Sequence, residues 1–186
     1  MTAQEIKIAN ATYRRNGSSV FDKNGKIRSV VANYVVENLS KDKKILDFGC
    51  GTEFIQGKYL RELGFDVDGW DFGENKPKNC VAELKQIYDV VYASNVLNVL
   101  SSVTALIETL RQIRSSLKGG GLFIANYPAA PRKLKFTTNT MECFLIYFFG
   151  ENVKRIRYRS TTIWVIEKSK DSMYAKTQEN CYVNQH

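Results

Sequence analysis

The stretch at residues 47–52, Asp-Phe-Gly-Cys-Gly-Thr, decides the fold, because two glycines follow directly on a short apolar segment. That segment, residues 44–48, has the composition of a buried strand, and residues 55–63 have the spacing of a helix. A glycine-rich turn between a strand and a helix lets the backbone approach a ligand without interference from a Cβ atom. The free N–H groups at the helix start add partial positive charge there. We therefore predict a ligand-binding turn in an α/β fold.

Strand and helix patterns alternate along the rest of the chain. Further strands are predicted over residues 65–71, 88–94 and 122–127, and helices over residues 27–39 and 103–117, the second ended by three glycines. Residues 79–87 fit a very short strand or a helical turn, and residues 141–149 fit a buried helix or a strand. Residues 153–159 and 162–167 are predicted as two β segments joined by a tight turn. This alternation indicates a parallel sheet with helices on both faces.

Length and composition bound the organisation of the chain. Its 186 residues suit one domain. We place that domain at residues 27–168, after a polar N-terminal arm at 1–26 and before a flexible tail at 169–186. The N-terminal residues lack a signal pattern, and apolar runs such as residues 143–149 are far too short to span a bilayer. We therefore expect a soluble, cytoplasmic protein that does not enter a membrane.

Cysteine and histidine usage excludes several kinds of site. The four cysteines stand at positions 50, 80, 143 and 181, so no CxxC pair exists, and His186 is the single histidine. We therefore expect neither a metal site nor a catalytic triad with histidine. Any catalysis has to use carboxylates, lysine, tyrosine, backbone dipoles or a reactive cofactor.

Acidic side chains beside the glycine turn select the kind of ligand. A pyrophosphate bound there would meet Asp47 and Glu53, so a dinucleotide is disfavoured. A cationic amino-acid group would instead be attracted to Asp47. The glycine spacing is also a poor fit to the GxGxxG turn expected of a nicotinamide oxidoreductase.

With an acidic residue before its glycines, the stretch at 47–52 resembles motif I of the class I S-adenosylmethionine-dependent methyltransferases. Residues 64–71 and 88–94 resemble that family's second and fourth strands, and residues 117–122 resemble its turn into the fifth strand. The resemblance covers residues 27–168. It implies a Rossmann-like, seven-stranded, mostly parallel sheet with an antiparallel C-terminal strand pair and helices on both faces. It also implies S-adenosylmethionine as the cofactor.

The resemblance assigns roles to individual residues. In the family, the acidic residue and glycines of motif I hold the methionine end and the ribose of the cofactor, and an acid after the second strand binds the ribose hydroxyls. Asp71 takes the place of that acid, and Phe72 lies beside the adenine. The implied cofactor-binding residues are Asp47, Phe48, Gly49, Cys50, Gly51, Asp71, Phe72 and Ser94.

Asn95 is the candidate catalytic residue. A methyl group on a sulfonium is already activated, so the protein has mainly to align the acceptor. Asn95 could hydrogen-bond an acceptor amine or the cofactor, or it could only cap the following helix. For Asp71 the alternative is a surface acid at a strand end, and for Asp47 a cap of the glycine loop. The cofactor role is favoured for both, because strand ends of such sheets carry ligands.

Three features depart from the family pattern. Glu53 replaces the frequent third glycine, and Asn98-Val99 stands where many small-molecule methyltransferases carry an acid and a histidine. The segment 94–97 lacks the two prolines of amino-methylating DNA enzymes, and we take the likeness of Asn126-Tyr127-Pro128 to their motif as a coincidence. The chain looks most like small phage- and plasmid-type or DNA-modification-associated methyltransferases.

The formal charge of +8 favours a polyanionic partner such as nucleic acid. Seven cations lie between residues 132 and 159, namely Arg132, Lys133, Lys135, Lys154, Arg155, Arg157 and Arg159. They fit a nucleic-acid surface or simply a solvated basic strand face. The predicted function is methyl transfer from S-adenosylmethionine to a nucleic acid or a small molecule. The alternative is an inactive methyltransferase-fold module that binds nucleic acid or a protein partner.

Overall fold

The computed structural model describes residues 2–14, 21–73, 80–85, 87–127, 133–150, 152–158 and 161–169. Its helices are α1 (Ala3–Arg14), α2 (Val30–Asn38), α3 (Ile55–Glu62), α4 (Val103–Ser116) and α5 (Thr138–Phe149). Its strands are β1 (Lys44–Phe48), β2 (Asp66–Trp70), β3 (Tyr88–Ala93), β4 (Leu117–Asn126), β5 (Val153–Tyr158) and β6 (Thr161–Glu167). The predicted flexible tail from residue 170, with Cys181 and His186, lies outside the described residues.

The six strands form one sheet in the order β2-β1-β3-β4-β6-β5. The first four are parallel, and β6 runs antiparallel to both β4 and β5, which confirms the predicted mixed topology. The prediction of seven strands is wrong for the described residues. Residues 80–85 expose Glu83 and Lys85 and meet the sheet at an irregular hydrogen bond from Val81 N–H to the Gly69 carbonyl (3.0 Å), so they add no strand.

Helix α1 lies within the predicted N-terminal arm at residues 1–26. Its start carries a capping box, in which Glu5 N–H donates to Thr2 Oγ1 (3.2 Å) and Thr2 N–H donates to Glu5 Oε2 (2.9 Å). The turn-forming stretches of this arm, residues 16–19 and 23–25, come after the end of the helix in sequence. The pair Thr2 and Glu5 was therefore the local signal for α1.

The boundary between α4 and β4 also differs from the prediction, because the glycines at 119–121 lie within β4 and do not end the helix. The buried Lys168 ammonium donates to the carbonyls of Arg114 (2.8 Å) and Leu117 (2.6 Å) and so satisfies the C-terminal end of α4. The backbone of Lys168 also pairs with Gly120 and Gly121. Long-range pairing with residue 168 therefore extends the strand back to Leu117.

Apolar side chains pack on both faces of the sheet. Leu46 and Val91 belong to the cluster that α4 and α5 cover, whereas their neighbours Ile45 and Val90 belong to the cluster that α2 and α3 cover. This alternation is the period of two expected of strands buried on both faces. It confirms helices on both faces and shows that residues 141–149 belong to a helix, α5.

The strand order reverses at β1, since β2 lies on one side of it and β3 on the other. In parallel α/β sheets, ligands bind outside the carboxyl ends of the strands at such a point. Helices α3 and α4, which follow β1 and β3, lie on opposite faces of the sheet. We therefore expect a ligand at the carboxyl ends of β1, β2 and β3, and we call this region the crevice.

Candidate functional site

The glycine loop at residues 49–51 follows β1 and folds against the end of β2. Gly49 N–H (2.8 Å) and Cys50 N–H (3.2 Å) both donate to the Trp70 carbonyl. Gly49 and Gly51 have φ values of +76° and +73°, which glycine adopts without strain. A Cβ at Gly49 would lie 2.5 Å from Val96 Cγ2, whereas a Cβ at Gly51 would meet nothing within 4 Å. The loop is therefore tightly packed at its first glycine and open at its second.

The Asp71 carboxylate hydrogen-bonds the second glycine of this loop, Gly51. Its Oδ2 accepts a hydrogen bond from Gly51 N–H (2.5 Å), and its Oδ1 accepts one from Phe72 N–H (2.6 Å). Burial raises the pKa of the carboxyl group, and the two backbone donors oppose that rise. Asp71 is buried, so the alternative of a surface acid is wrong, and its hold on the glycine loop is a contact that the sequence did not predict.

Asp47 lies buried beneath the loop, near the end of β1. Burial raises the pKa of its carboxyl group to about 7, and the charge of Asp71 adds to the rise. The Tyr92 hydroxyl faces the carboxyl group and the Gly57 N–H lies near it, and both oppose the rise. Within the described residues, neither Asp47 Oδ2 nor the Tyr92 hydroxyl completes a hydrogen bond. An unpartnered buried carboxylate oxygen favours a ligand that brings a cation or an N–H donor.

The predicted aromatic residues lie in one cluster at this edge. The Phe48 ring is fully buried against Trp70, with centroids 4.7 Å apart, so its side chain faces the core. The Phe72 ring is only partly buried and meets both of these rings edge to face. Of the two predicted aromatic contacts, Phe72 therefore presents a partly open ring.

Ser94 and Asn95 follow β3 at the same edge. The Ser94 hydroxyl lies 3.0 Å from the hydroxyl of Ser29, which caps α2. Asn95 has a φ of +61°, its N–H donates to Asn126 Oδ1 (2.7 Å), and Asn126 Nδ2 donates to Asn95 Oδ1 (2.8 Å). The alternative that Asn95 caps the following helix is wrong, because Ser102 is the N-cap of α4.

Asn126 is a site residue that the sequence analysis missed. It ends β4, is buried, and forms the reciprocal amide pair with Asn95 across the gap between β3 and β4. The available signal was a polar amide near the end of the predicted strand at 122–127, in the stretch Asn126-Tyr127-Pro128. Pro128 itself lies outside the described residues.

Helix α1 also reaches this edge. Glu5 Oε1 accepts a hydrogen bond from the Ser102 hydroxyl (2.5 Å) at the start of α4. Ile6 Cδ1 lies 3.3 Å from where a Cβ would stand on Gly73, two residues after Asp71. Two adjacent residues near the start of α1 therefore contact the segment after β2 and the start of α4.

Two predicted features do not form part of the crevice. Glu53 is exposed in the turn after the glycine loop, so its side chain does not crowd the loop. Lys154, Arg155 and Arg157 are exposed on β5, at the far edge of the sheet, where β6 and β4 separate them from β3. Arg132 and Arg159, the ends of the predicted basic cluster, lie outside the described residues.

Two further properties concern the described part of the chain. None of its helices is both long and apolar enough to cross a membrane. It brings together no group of three or more histidine, cysteine, aspartate or glutamate side chains that could hold a metal ion.

Solved structures share this fold. A TehB-like SAM-dependent methyltransferase from Corynebacterium glutamicum is 16% identical, with a TM-score of 0.58, and the match covers 91% of this chain and 99% of that one. A Burkholderia thailandensis 1,6-didemethyltoxoflavin-N1-methyltransferase, solved with S-adenosylhomocysteine, is 17% identical, with a TM-score of 0.57 and coverage of 75% and 76%. A T. thermophilus 16S rRNA methyltransferase, solved with AdoMet and guanosine, is 11% identical, with a TM-score of 0.53 and coverage of 77% and 40%.

Two sequence comparisons gave different results. No curated protein matches the chain. The pattern of a family described as a methyltransferase domain matches residues 21–164, which is well over half of the chain. That span contains the glycine loop, Asp71, Asn95 and Asn126, the residues that the structure gathers at the crevice. The chain therefore belongs to the methyltransferase-domain family.

Proposed function

We propose that the protein is an S-adenosylmethionine-dependent methyltransferase whose cofactor lies at the carboxyl ends of β1, β2 and β3. The observation that carries the proposal is the arrangement of the glycine loop, which Asp71 holds open at Gly51 above the unpartnered Asp47 oxygen. S-adenosylmethionine brings an ammonium and a sulfonium, and both suit a buried carboxylate. Both features are independent of the family comparison.

In this proposal, different residues bind different parts of the cofactor. Asp47 and the loop residues Gly49 to Gly51 receive the methionine end, Asp71 receives the ribose hydroxyls, and Phe72 borders the adenine. Ser94 completes the cofactor set on the β3 side, where its hydroxyl meets that of Ser29. When bound, the cofactor supplies a methyl group that needs no further activation.

Asn95 aligns the acceptor in this proposal. Its left-handed backbone and its amide are fixed by the reciprocal pair with Asn126, so the side chain is held in one orientation. A fixed amide can receive a hydrogen bond from an acceptor amine or donate one to an acceptor oxygen. Alignment in line with the sulfonium is then the main contribution of the protein to the transfer.

We favour a small molecule over nucleic acid as the acceptor. Helix α1 lies at this edge of the sheet, because Glu5 bonds Ser102 and Ile6 lies beside Gly73. The exposed cations of β5 lie at the opposite edge of the sheet from β2 and do not line the crevice. Both observations suit an acceptor that fits beneath α1.

Isothermal titration calorimetry with S-adenosylhomocysteine tests the proposal. We expect binding by the wild-type chain, and binding weaker by about 1–3 kcal/mol in Asp71→Ala, because that change strands the loop N–H groups and removes the ribose partner. Asp66→Ala is the matched control, since Asp66 is exposed at the other end of β2. No heat of binding by the folded wild-type chain would refute the cofactor site and leave the inactive-module alternative.

A further inference from the structure

Two of the cysteines meet inside the fold. Cys50 Sγ and Cys80 Sγ lie 3.3 Å apart, although the residues are 30 positions apart in sequence. Both side chains are partly buried, and both are free thiols, as is the exposed Cys143. Cys181 lies outside the described residues. From the sequence, Cys50 is expected to be a buried thiol within the cofactor loop, and no role is predicted for Cys80.

The backbone on each side of this contact is anchored to the same strand, β2. Cys50 N–H donates to the Trp70 carbonyl (3.2 Å), and Val81 N–H, beside Cys80, donates to the Gly69 carbonyl (3.0 Å). Cys80 Sγ packs directly over Gly69, where a Cβ would lie only 2.7 Å from the sulfur. Because adjacent residues of one strand hold both cysteines, the two sulfurs stay neighbours in the folded chain.

We propose that Cys50 and Cys80 are an oxidation site, at which a mild peroxide oxidant forms a reversible disulfide within the folded protein. A disulfide needs its sulfurs about 2 Å apart, so the bond requires an approach of about 1.3 Å, which side-chain rotation at two partly buried residues can supply. The bond joins the glycine loop to the segment that follows β2, which are two sides of the same crevice. The proposal does not depend on methyl transfer or on cofactor binding.

The surroundings make Cys80 the attacking thiol. Burial raises the pKa of both thiols. At Cys80 the hydrogen bond with Cys50 opposes that rise, the charges of Asp47 and Asp71 add to it, and the charge of Arg61 opposes it. At Cys50, the neighbouring Asp47 and Cys80 add to the rise of the pKa caused by burial. The thiolate is the reactive form, so peroxide reacts first at Cys80.

One peroxide molecule is the oxidant that converts the two thiols into a disulfide. The Cys80 thiolate attacks a peroxide oxygen, the O–O bond breaks, and Cys80 becomes a sulfenic acid while hydroxide leaves and is protonated to water. The Cys50 sulfur then attacks the Cys80 sulfur, the S–S bond forms, and the S–O bond breaks to release a second water. Two thiols are oxidised and one peroxide is reduced to two waters.

The test treats the folded full-length chain with hydrogen peroxide and maps its cysteines by mass spectrometry of a non-reducing digest. We expect a linked peptide pair that contains Cys50 and Cys80 and that disappears after reduction. Cys143→Ser is the matched control and should keep the linkage. The same treatment in concentrated urea should scatter linkages over all four cysteines, because the specificity comes from the fold. Absence of the Cys50–Cys80 pair in the folded chain would overturn the proposal.

Two single variants test the order of events with dimedone, which traps sulfenic acid. In Cys50→Ser, dimedone should label Cys80, whereas in Cys80→Ser it should leave Cys50 unlabelled. The opposite result would overturn the assignment of the attacking thiol. In that result, dimedone labels Cys50 in Cys80→Ser and fails to label Cys80 in Cys50→Ser. Serine has nearly the same volume as cysteine, and a melting curve of each variant verifies that it folds.

Discussion

Asp47 is a buried carboxyl group whose pKa of about 7 lies within the physiological range. Burial favours its neutral form, so the folded chain holds a proton there that the unfolded chain releases near its ordinary pKa of 3.8. Between these two pKa values the folded state binds more protons than the unfolded state. The free energy of unfolding therefore falls as the pH rises from about 4 to about 7.

Replacing Asp47 with asparagine should remove this pH dependence. The difference in unfolding free energy between Asp47→Asn and the wild type should grow with pH and reach on the order of 4 kcal/mol above about pH 7. Urea titrations across that range measure it. In the wild type, affinity for S-adenosylhomocysteine should also rise over the upper part of the range, because the ligand ammonium prefers the ionised carboxylate. A pH-independent difference between the two proteins would contradict the assigned pKa.

Phe54 is a bulky residue in the left-handed region, with a φ of +52°, directly before α3. Its fully buried ring fills the space over Gly57 and Gly69, and the Arg61 guanidinium lies 4.9 Å from the ring centroid. A Cβ at Gly57 would lie 1.8 Å from Phe54 Cε2. The ring therefore requires glycine at a helix position where alanine would ordinarily be preferred.

Gly57→Ala should destabilise the chain by about 1–3 kcal/mol, because overpacking outweighs the gain in helix propensity. Chemical denaturation measures the change. Lys58→Ala, at the exposed neighbouring position of α3, is the control and should stay within about 0.5 kcal/mol of the wild type. Equal stability of Gly57→Ala and the wild type would mean that the Phe54 ring moves freely out of its place.

Among the secondary-structure elements, helix α1 is notable because its start lies beside the crevice. The capping box at Thr2 and Glu5 starts the helix, and the same Glu5 side chain then bonds the N-cap of α4. One carboxylate thus stabilises the start of α1 and ties it to the mouth of the site. Removal of its charge should loosen α1 over the crevice.

Glu5→Gln should therefore speed both the association and the dissociation of S-adenosylhomocysteine, by about 3-fold to 10-fold if the hydrogen bond to Ser102 contributes about 0.5–1.5 kcal/mol. Stopped-flow fluorescence of Trp70, at the end of β2, follows both rates. Lys7→Gln, at an exposed position of the same helix, should leave both rates unchanged. Unchanged rates in Glu5→Gln would exclude α1 as a barrier to the ligand.

Across the whole molecule, the basic residues of β5 lie away from the crevice. The exposed cations of β5 follow one edge of the sheet, and the crevice lies nearer the other edge. Exposed charges on an edge strand also discourage pairing with another chain. The cations of β5 thus lie away from the crevice, whereas Lys133 and Lys135 are exposed in the segment that follows β4.

The double variant Lys154→Gln/Arg157→Gln should weaken binding to a polyanion such as heparin. It should also lower the salt dependence of that binding, by about one unit of log–log slope for each cation removed. The affinity for S-adenosylhomocysteine should stay unchanged. Fluorescence titrations at several salt concentrations measure both affinities. Competition between heparin and S-adenosylhomocysteine for the wild-type chain would show that the basic edge and the crevice are connected.

The sequence by itself determined the features that depend on local geometry. The glycine turn, the strands beside it and the alternation of apolar residues follow from backbone freedom and side-chain periods within a few residues, and all of them formed as predicted. The capping box at α1 was equally local but was overlooked. Where the resemblance implies seven strands, the described residues form six, and residues 80–85 add none.

Only the tertiary structure decided which distant residues meet. The pairs Asp71 with Gly51, Asn95 with Asn126 and Cys50 with Cys80 join positions 20, 31 and 30 residues apart. Hydrogen-bonding capacity is a property of each residue, but a hydrogen bond also needs a partner within about 3 Å. That distance is set by the register of the parallel strands and not by the residues between them. The glycine loop was therefore predictable from the sequence, whereas the distant residues that contact it depend on how the sheet is assembled.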